Sequence, residues 1–128
     1  MRNMQTDARK AALRRIREIT AAQAECFGGE YDIKEGQPGA VLVNTREETQ
    51  FAANVARQRF GEDSVVYPCK PMMSSEDFAF MLQHKPGSYV MIGNGDTPMV
   101  HNPAYIFDQD ILAMGASLWV ALCEEYLK

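Results

Sequence analysis

A chain of 128 residues has the length of one ordinary domain and is long enough to bury a core. With 46% apolar and 23% charged residues its composition is globular, and no run of eighteen apolar residues is present, so neither a transmembrane helix nor a membrane partner is expected. Seventeen acidic against thirteen basic side chains leave a net charge of −4, which speaks against a nucleic-acid partner held through clustered lysine and arginine.

The residues from Met1 to Asp7 contain no apolar stretch of the secretory kind, so a cytoplasmic location is expected. Cys26, Cys69 and Cys123 are far apart and form no CxxC pair, the pattern of buried or idle thiols in a reducing compartment, and they offer no zinc ribbon.

Thr6 or Asp7 can cap a first helix, Ala8–Phe27, whose apolar Leu13, Ile16, Ile19, Ala24 and Phe27 recur at three- and four-residue steps until Gly28-Gly29 stops it. Its basic cluster, Arg9, Lys10, Arg14, Arg15 and Arg17, reads as a solvated face. Tyr31 and Ile33 alternate with Glu30, Asp32 and Lys34, which predicts a strand over Glu30–Lys34, broken by Gln37-Pro38-Gly39. Asn44 and Thr45, with Glu47 and Glu48 three residues on, form overlapping capping boxes before a second helix that Gly61 ends, and Val65–Tyr67 reads as a short strand. Ser74 or Ser75 starts a third helix with Phe78, Met81 and Leu82 facing inward. His84-Lys85-Pro86-Gly87 terminates it, with His84 making a dipole contact at the helix end. Tyr89–Ile92 is the central strand candidate, and Asp108 caps a last helix running to about Tyr126 with Ile111, Leu112, Leu118, Trp119, Leu122 and Cys123 on a wide apolar stripe. The methionines, Met72, Met73, Met81, Met91, Met99 and Met114, read as flexible core filler rather than soft-metal ligands.

Between the last strand and the last helix, Gly93, Gly95 and Pro98 keep the chain from being helical ahead of His101, and loops pinned at a strand end are where sites are commonly built. On bare sequence a lone histidine in such a loop is more often a surface or structural residue than a ligand. Glu76 and Asp77, adjacent in the first turn of the third helix, point about a hundred degrees apart and cannot share a substrate. Favourable interaction with the helix N-terminus explains them. Gly93 and Gly95 fit a plain turn, or equally a close backbone approach to a ligand.

Four elements in this order resemble the C-terminal part of the metal-dependent N-acyl-amino-acid amidohydrolases, in particular the hippurate hydrolase branch of the aminoacylase and carboxypeptidase metallopeptidases. They are Ser75-Glu76-Asp77-Phe78, the Pro86-Gly87-Ser88-Tyr89 turn leading into Ile92-Gly93, the His101-Asn102-Pro103 triplet, and the Phe107-Asp108 step that opens a helix containing Gly115-Ala116. Family members are about three times this long, so the resemblance covers the whole chain and the last third of such an enzyme. It implies an α/β fold, part of a three-layer zinc-peptidase-like catalytic domain over 41–128, preceded over 1–40 by the last part of an α+β lid or dimerisation domain.

The resemblance also implies that His101 is a ligand of a divalent metal, Zn or Mn, in the full-length enzyme, where neutral imidazole is a suitable donor. It suggests that Gly93 and Gly95 approach the substrate and that Glu76 or Asp77 supports the metal loop from behind. The other ligands and the general-base glutamate lie upstream in the family, so this chain alone is expected neither to bind metal tightly nor to be active. The substrate implied is an N-acyl or N-aroyl amino acid such as hippurate. Uncovered apolar helix faces are expected to drive self-association, and a non-catalytic small α/β association module stands as the alternative.

Overall fold

The computed structural model describes residues 6–36, 39–74 and 76–128. Four α-helices follow one another along the chain, α1 Thr6–Phe27, α2 Arg46–Phe60, α3 Phe78–Leu82 and α4 Ile111–Tyr126, with a short 3-10 turn at Glu62–Ser64. They fall into two compact units, one formed by Met1–Val43 with Lys70–Lys85, the other by Asn44–Cys69 with Pro86–Lys128.

In the first unit α1 begins at Thr6, so Asp7 sits in the first turn of the helix rather than capping it. It ends where Gly28 turns to φ 64° and the Gly29 amide donates to the Ala24 carbonyl at 2.9 Å, a six-to-one closure that only a residue at ease in left-handed backbone allows cheaply. The basic face is solvated, as its spacing predicts. Arg14 and Arg15 both pair with Glu18, Arg9 donates to the Gly39 carbonyl at 3.0 Å, and Arg17 pairs with Glu35, tying the extended segment after Gly29 back to α1. The third helix is shorter than its pattern predicts. It starts at Phe78, the carbonyls of Glu76 and Asp77 accept the first amides, from Ala79 and Phe80, and Ser75 lies outside the described residues. Met72 and Met73 ahead of it are about half exposed. Ala79 is the buried residue of α3, whereas Met81, expected to face inward, is 62% exposed.

The second unit is built on the packing of α2 against α4. Ala52, Ala53 and Val55 on α2 and Leu118 on α4 are buried. Phe51 meets Tyr126 edge-on with ring centroids 6.3 Å apart, and the Arg59 guanidinium donates to Ser117 Oγ at 2.7 Å. Gly61, at φ 94°, stops α2 by donating to the Arg57 carbonyl at 2.8 Å. Arg57 then pairs with Glu62 at 3.0 Å and lies over the Tyr67 ring. The last helix starts at Ile111, two residues after the expected start, because Asp108 Oδ1 accepts the Asp110 amide and spends those residues in a turn.

No strand occurs among the described residues, so the expected strands at Glu30–Lys34, Val65–Tyr67 and Tyr89–Ile92 and the three-layer α/β arrangement are not present in them. The physical reason is visible at Tyr89. Its amide donates to Asn44 Oδ1 at 2.8 Å and its carbonyl accepts Asn44 Nδ2 at 2.9 Å, so one side-chain amide stands where a neighbouring strand would pair. A strand is stable only beside a second one, which local pattern cannot supply. The described core is correspondingly small, consisting of Ala52, Ala53, Val55, Ala79 and Leu118. Apolar residues predicted to fill it stay exposed, among them Trp119 at 66% and Leu112 at 61%, and all six of the methionines read as core filler are at least 47% exposed.

Candidate functional site

The segment carrying the predicted site residues lies in the second unit and is fixed at its entry by the N-terminus of α2. Thr45 donates through both its amide and its hydroxyl to the Gly87 carbonyl, at 3.1 and 3.0 Å, and the Gly87 amide donates back to the hydroxyl at 2.9 Å. With the Asn44 amide on Tyr89 this holds 87–89 against the helix start. The cap hydroxyl that the sequence assigns to α2 is therefore engaged with Gly87 rather than with the first helical amides. Farther along, Gly115 leaves room for Ile92, since a Cβ at that position would stand 3.3 Å from the Ile92 Cδ1 methyl.

From Gly93 the chain leaves as a loop that returns at Asp108. Gly95 adopts φ 76°, a conformation that favours glycine, whereas Gly93 shows no such demand and a side chain added at either would meet no atom within 4 Å. Asn94, between them, is the residue that sequence reasoning passed over. Its Nδ2 donates to Thr97 Oγ1 at 2.9 Å and to the Ile106 carbonyl at 2.7 Å, while its Oδ1 accepts the Asp108 amide at 2.8 Å. The available signal was weak, because an asparagine between glycines reads as turn filler.

His101 sits at the far end of this loop, exposed, in a turn closed by the Asn102 amide donating to the Met99 carbonyl at 3.1 Å. It is the non-glycine residue with positive φ among those described, at 72°, and it occupies the third position of this turn, where type II geometry takes such a value. Asn102 carries the chain onward, accepting the Ala104 amide on its side chain at 2.9 Å and the Tyr105 amide on its carbonyl at 2.9 Å. The imidazole is thus presented from a tightly bonded turn. Glu76, half-buried, and Asp77, exposed, belong to the first unit, as does exposed His84, whose amide donates to the Met81 carbonyl at 3.0 Å at the end of α3. Among the described residues no group of three or more His, Cys, Asp or Glu side chains could hold a metal ion. The donors present therefore do not by themselves fit a catalytic metal, which takes about three protein ligands.

An apolar hollow of about 280 Å³ lies elsewhere in this unit, between α2, α4 and residues 88–90, lined by Phe51, Val90, Trp119, Leu122 and Tyr126. Ser88 Oγ is buried there without a hydrogen-bond partner. Cys26, Cys69 and Cys123 are free and exposed, which corrects the buried alternative for these thiols, and no described helix is long and apolar enough to cross a membrane.

Residues 6–125 match the model of Peptidase family M20/M25/M40. The chain belongs to that family. This membership makes it part of an enzyme family with a peptidase-like fold. Over its full 128 residues it is 31% identical to a hippurate hydrolase of Campylobacter jejuni, covering 33% of that protein. It is 31% identical over 123 residues to the IAA-amino acid hydrolase ILR1-like 4 of Arabidopsis thaliana, covering 89% of this chain and 28% of the relative. An N-acetylcysteine deacetylase of Bacillus subtilis is 27% identical over 124 residues, covering 95% of this chain and 31% of the relative. The chain therefore spans about a third of the length of the curated relatives it matches. No solved structure matches it significantly.

Proposed function

We propose that this chain is the C-terminal segment of a metal-dependent amidohydrolase that cleaves the amide bond of N-acyl or N-aroyl amino acids, hippurate-like conjugates in particular. The supporting observation is the match along all 128 residues to a hippurate hydrolase, together with relatives named for hydrolysing other amino-acid conjugates. In this reading residues 41–128 belong to a three-layer catalytic domain and residues 1–40 to the end of a lid or dimerisation domain.

His101 is the residue assigned to the metal, Zn or Mn. Its exposed position on a bonded turn suits a ligand that is fixed before the ion arrives, since an imidazole already ordered loses less freedom on binding. Gly93 and Gly95 are assigned to the side of the loop facing substrate, and Glu76 or Asp77 to support of the metal loop. Because one imidazole is too few ligands, the segment by itself neither holds the ion tightly nor turns over substrate. A cytoplasmic location belongs to the same proposal and is supported by three free thiols.

The test has two arms. Purified chain, titrated with zinc by calorimetry and assayed on hippurate with added metal, is expected to give no stoichiometric tight site and no turnover. The substitution equivalent to His101→Ala in an intact relative, such as the Campylobacter hippurate hydrolase, is expected to weaken metal binding and remove most activity. Full activity in that variant would overturn the assignment of His101.

A second reading, a non-catalytic association module, is favoured by the exposure of Leu112, Met114, Trp119, Val120 and Tyr126 on α4. The self-association it shares with the first reading predicts dimers or larger species in sedimentation. A compact monomer at high concentration would exclude it.

A further inference from the structure

We propose that Asn94 is the positioning residue of the His101 loop, a role that rests on reading His101 as the functional side chain of this segment. The observation is the complete use of one amide group. Both hydrogens of Nδ2 and the Oδ1 acceptor are engaged, with partners at Thr97, Ile106 and Asp108. Two of those partners lie 12 and 14 residues away, so a single side chain closes the loop across its base, where backbone pairing is absent among the described residues.

The consequence follows from loop entropy and from the strain at the tip. A loop of this length closed by nothing at its base samples many conformations, and the positive φ of His101 is among the less favourable ones for a residue with a Cβ. Joining the Asp108 amide and the Ile106 carbonyl to one planar group fixes both the separation and the relative orientation of the two ends. The turn from Met99 to Asn102 then occurs in a restricted frame. Asn94 touches neither a ligand nor a reacting atom in this account, and it acts through the backbone that carries the imidazole.

The experiment is carried out on the full 128-residue chain, isotope-labelled, by nuclear magnetic resonance, with no metal and no substrate. Three readouts are followed: the Asp108 amide exchange rate, the φ-sensitive coupling of His101, and the thermal unfolding midpoint. Asn94→Ala is expected to speed Asp108 exchange roughly tenfold, the equivalent of one lost hydrogen bond, and to move the His101 coupling to a conformationally averaged value. Asn94→Asp retains the acceptor and lacks both donors, so it should restore Asp108 protection while leaving His101 averaged. Leu118→Ala serves as the comparison for general destabilisation and is expected to lower the midpoint without changing the His101 coupling. Native coupling at His101 in folded Asn94→Ala, or the same loss in Leu118→Ala, would overturn the proposal. Because nothing here reads metal or turnover, such a failure leaves the assignment of His101 as a ligand standing. An active His101→Ala relative would remove that assignment and leave the clamp intact.

Discussion

Replacing Asn44 by alanine tests whether a side-chain amide truly substitutes for a neighbouring strand at Tyr89. The substitution removes two hydrogen bonds, at 2.9 and 2.8 Å, in a half-buried setting. Each is worth about 1 kcal/mol net, and water can reach a half-buried backbone in part, so a loss of about 2 kcal/mol is expected, short of the larger penalty for a fully buried orphan. With a urea slope of about 2 kcal/mol per molar, the unfolding midpoint should fall by about 1 M at unchanged slope. Amide exchange at Tyr89 should accelerate in step. Asn44→Asp sharpens the test, because it keeps the acceptor for the Tyr89 amide but sets a carboxylate oxygen against the Tyr89 carbonyl. At neutral pH it should be at least as damaging as alanine, and it should recover when the carboxyl is protonated and can donate. A midpoint within about 0.2 M of the parent for both variants would show that the two bonds contribute nothing and that the 87–92 segment is held by other contacts.

Ser88→Ala removes a buried hydroxyl that has no partner, so it should raise stability by up to about 1 kcal/mol, measured in the same urea titration. Leu118→Ala opens a cavity between α4 and α2 and should cost about 2 kcal/mol, the low end of the usual range because the surrounding core is small. The Glu48 carboxyl is held below its ordinary value by the Thr45 hydroxyl and its own backbone amide, which favours the charged form in the folded chain. Its contribution is therefore complete above the unfolded value and is lost as pH falls through the lower folded one. Glu48→Gln should flatten the decline in stability on acidification, and parallel curves for the two proteins would refute this. His101→Gly relieves a positive φ at a residue with a Cβ, so it should match or exceed the stability of His101→Ala by about 1 kcal/mol in the same titration.

Helix positions were legible in the sequence wherever the determining interactions are local. Gly28 and Gly61 announce the ends of α1 and α2 because the turn each makes needs positive φ. The strands were not legible, since alternation at Tyr31 and Ile33 or the β-branched pair Val65-Val66 states a willingness to pair and says nothing of a partner. The same limit explains Trp119. Its place on an apolar stripe predicts burial, yet burial needs a covering surface, and none among the described residues lies over most of that side chain. At the site, the His101-Asn102-Pro103 step was recognisable as a motif, whereas the turn geometry and the Asn94 bonds depend on residues 12 and 14 positions apart meeting in space.

The placement of His101 connects these points. Asparagine tolerates left-handed backbone better than most residues, and the sequence has one next door, at Asn102, where it bonds the Ala104 amide from a conformation that needs no such tolerance. The position with positive φ holds a histidine instead, a residue that, like asparagine, is found in left-handed backbone more often than most. Glycine would hold the same backbone without a Cβ. The metal-ligand role proposed for His101, at the tip of a loop whose base is bonded through Asn94, is a use for which imidazole, unlike glycine or asparagine, is chemically suited.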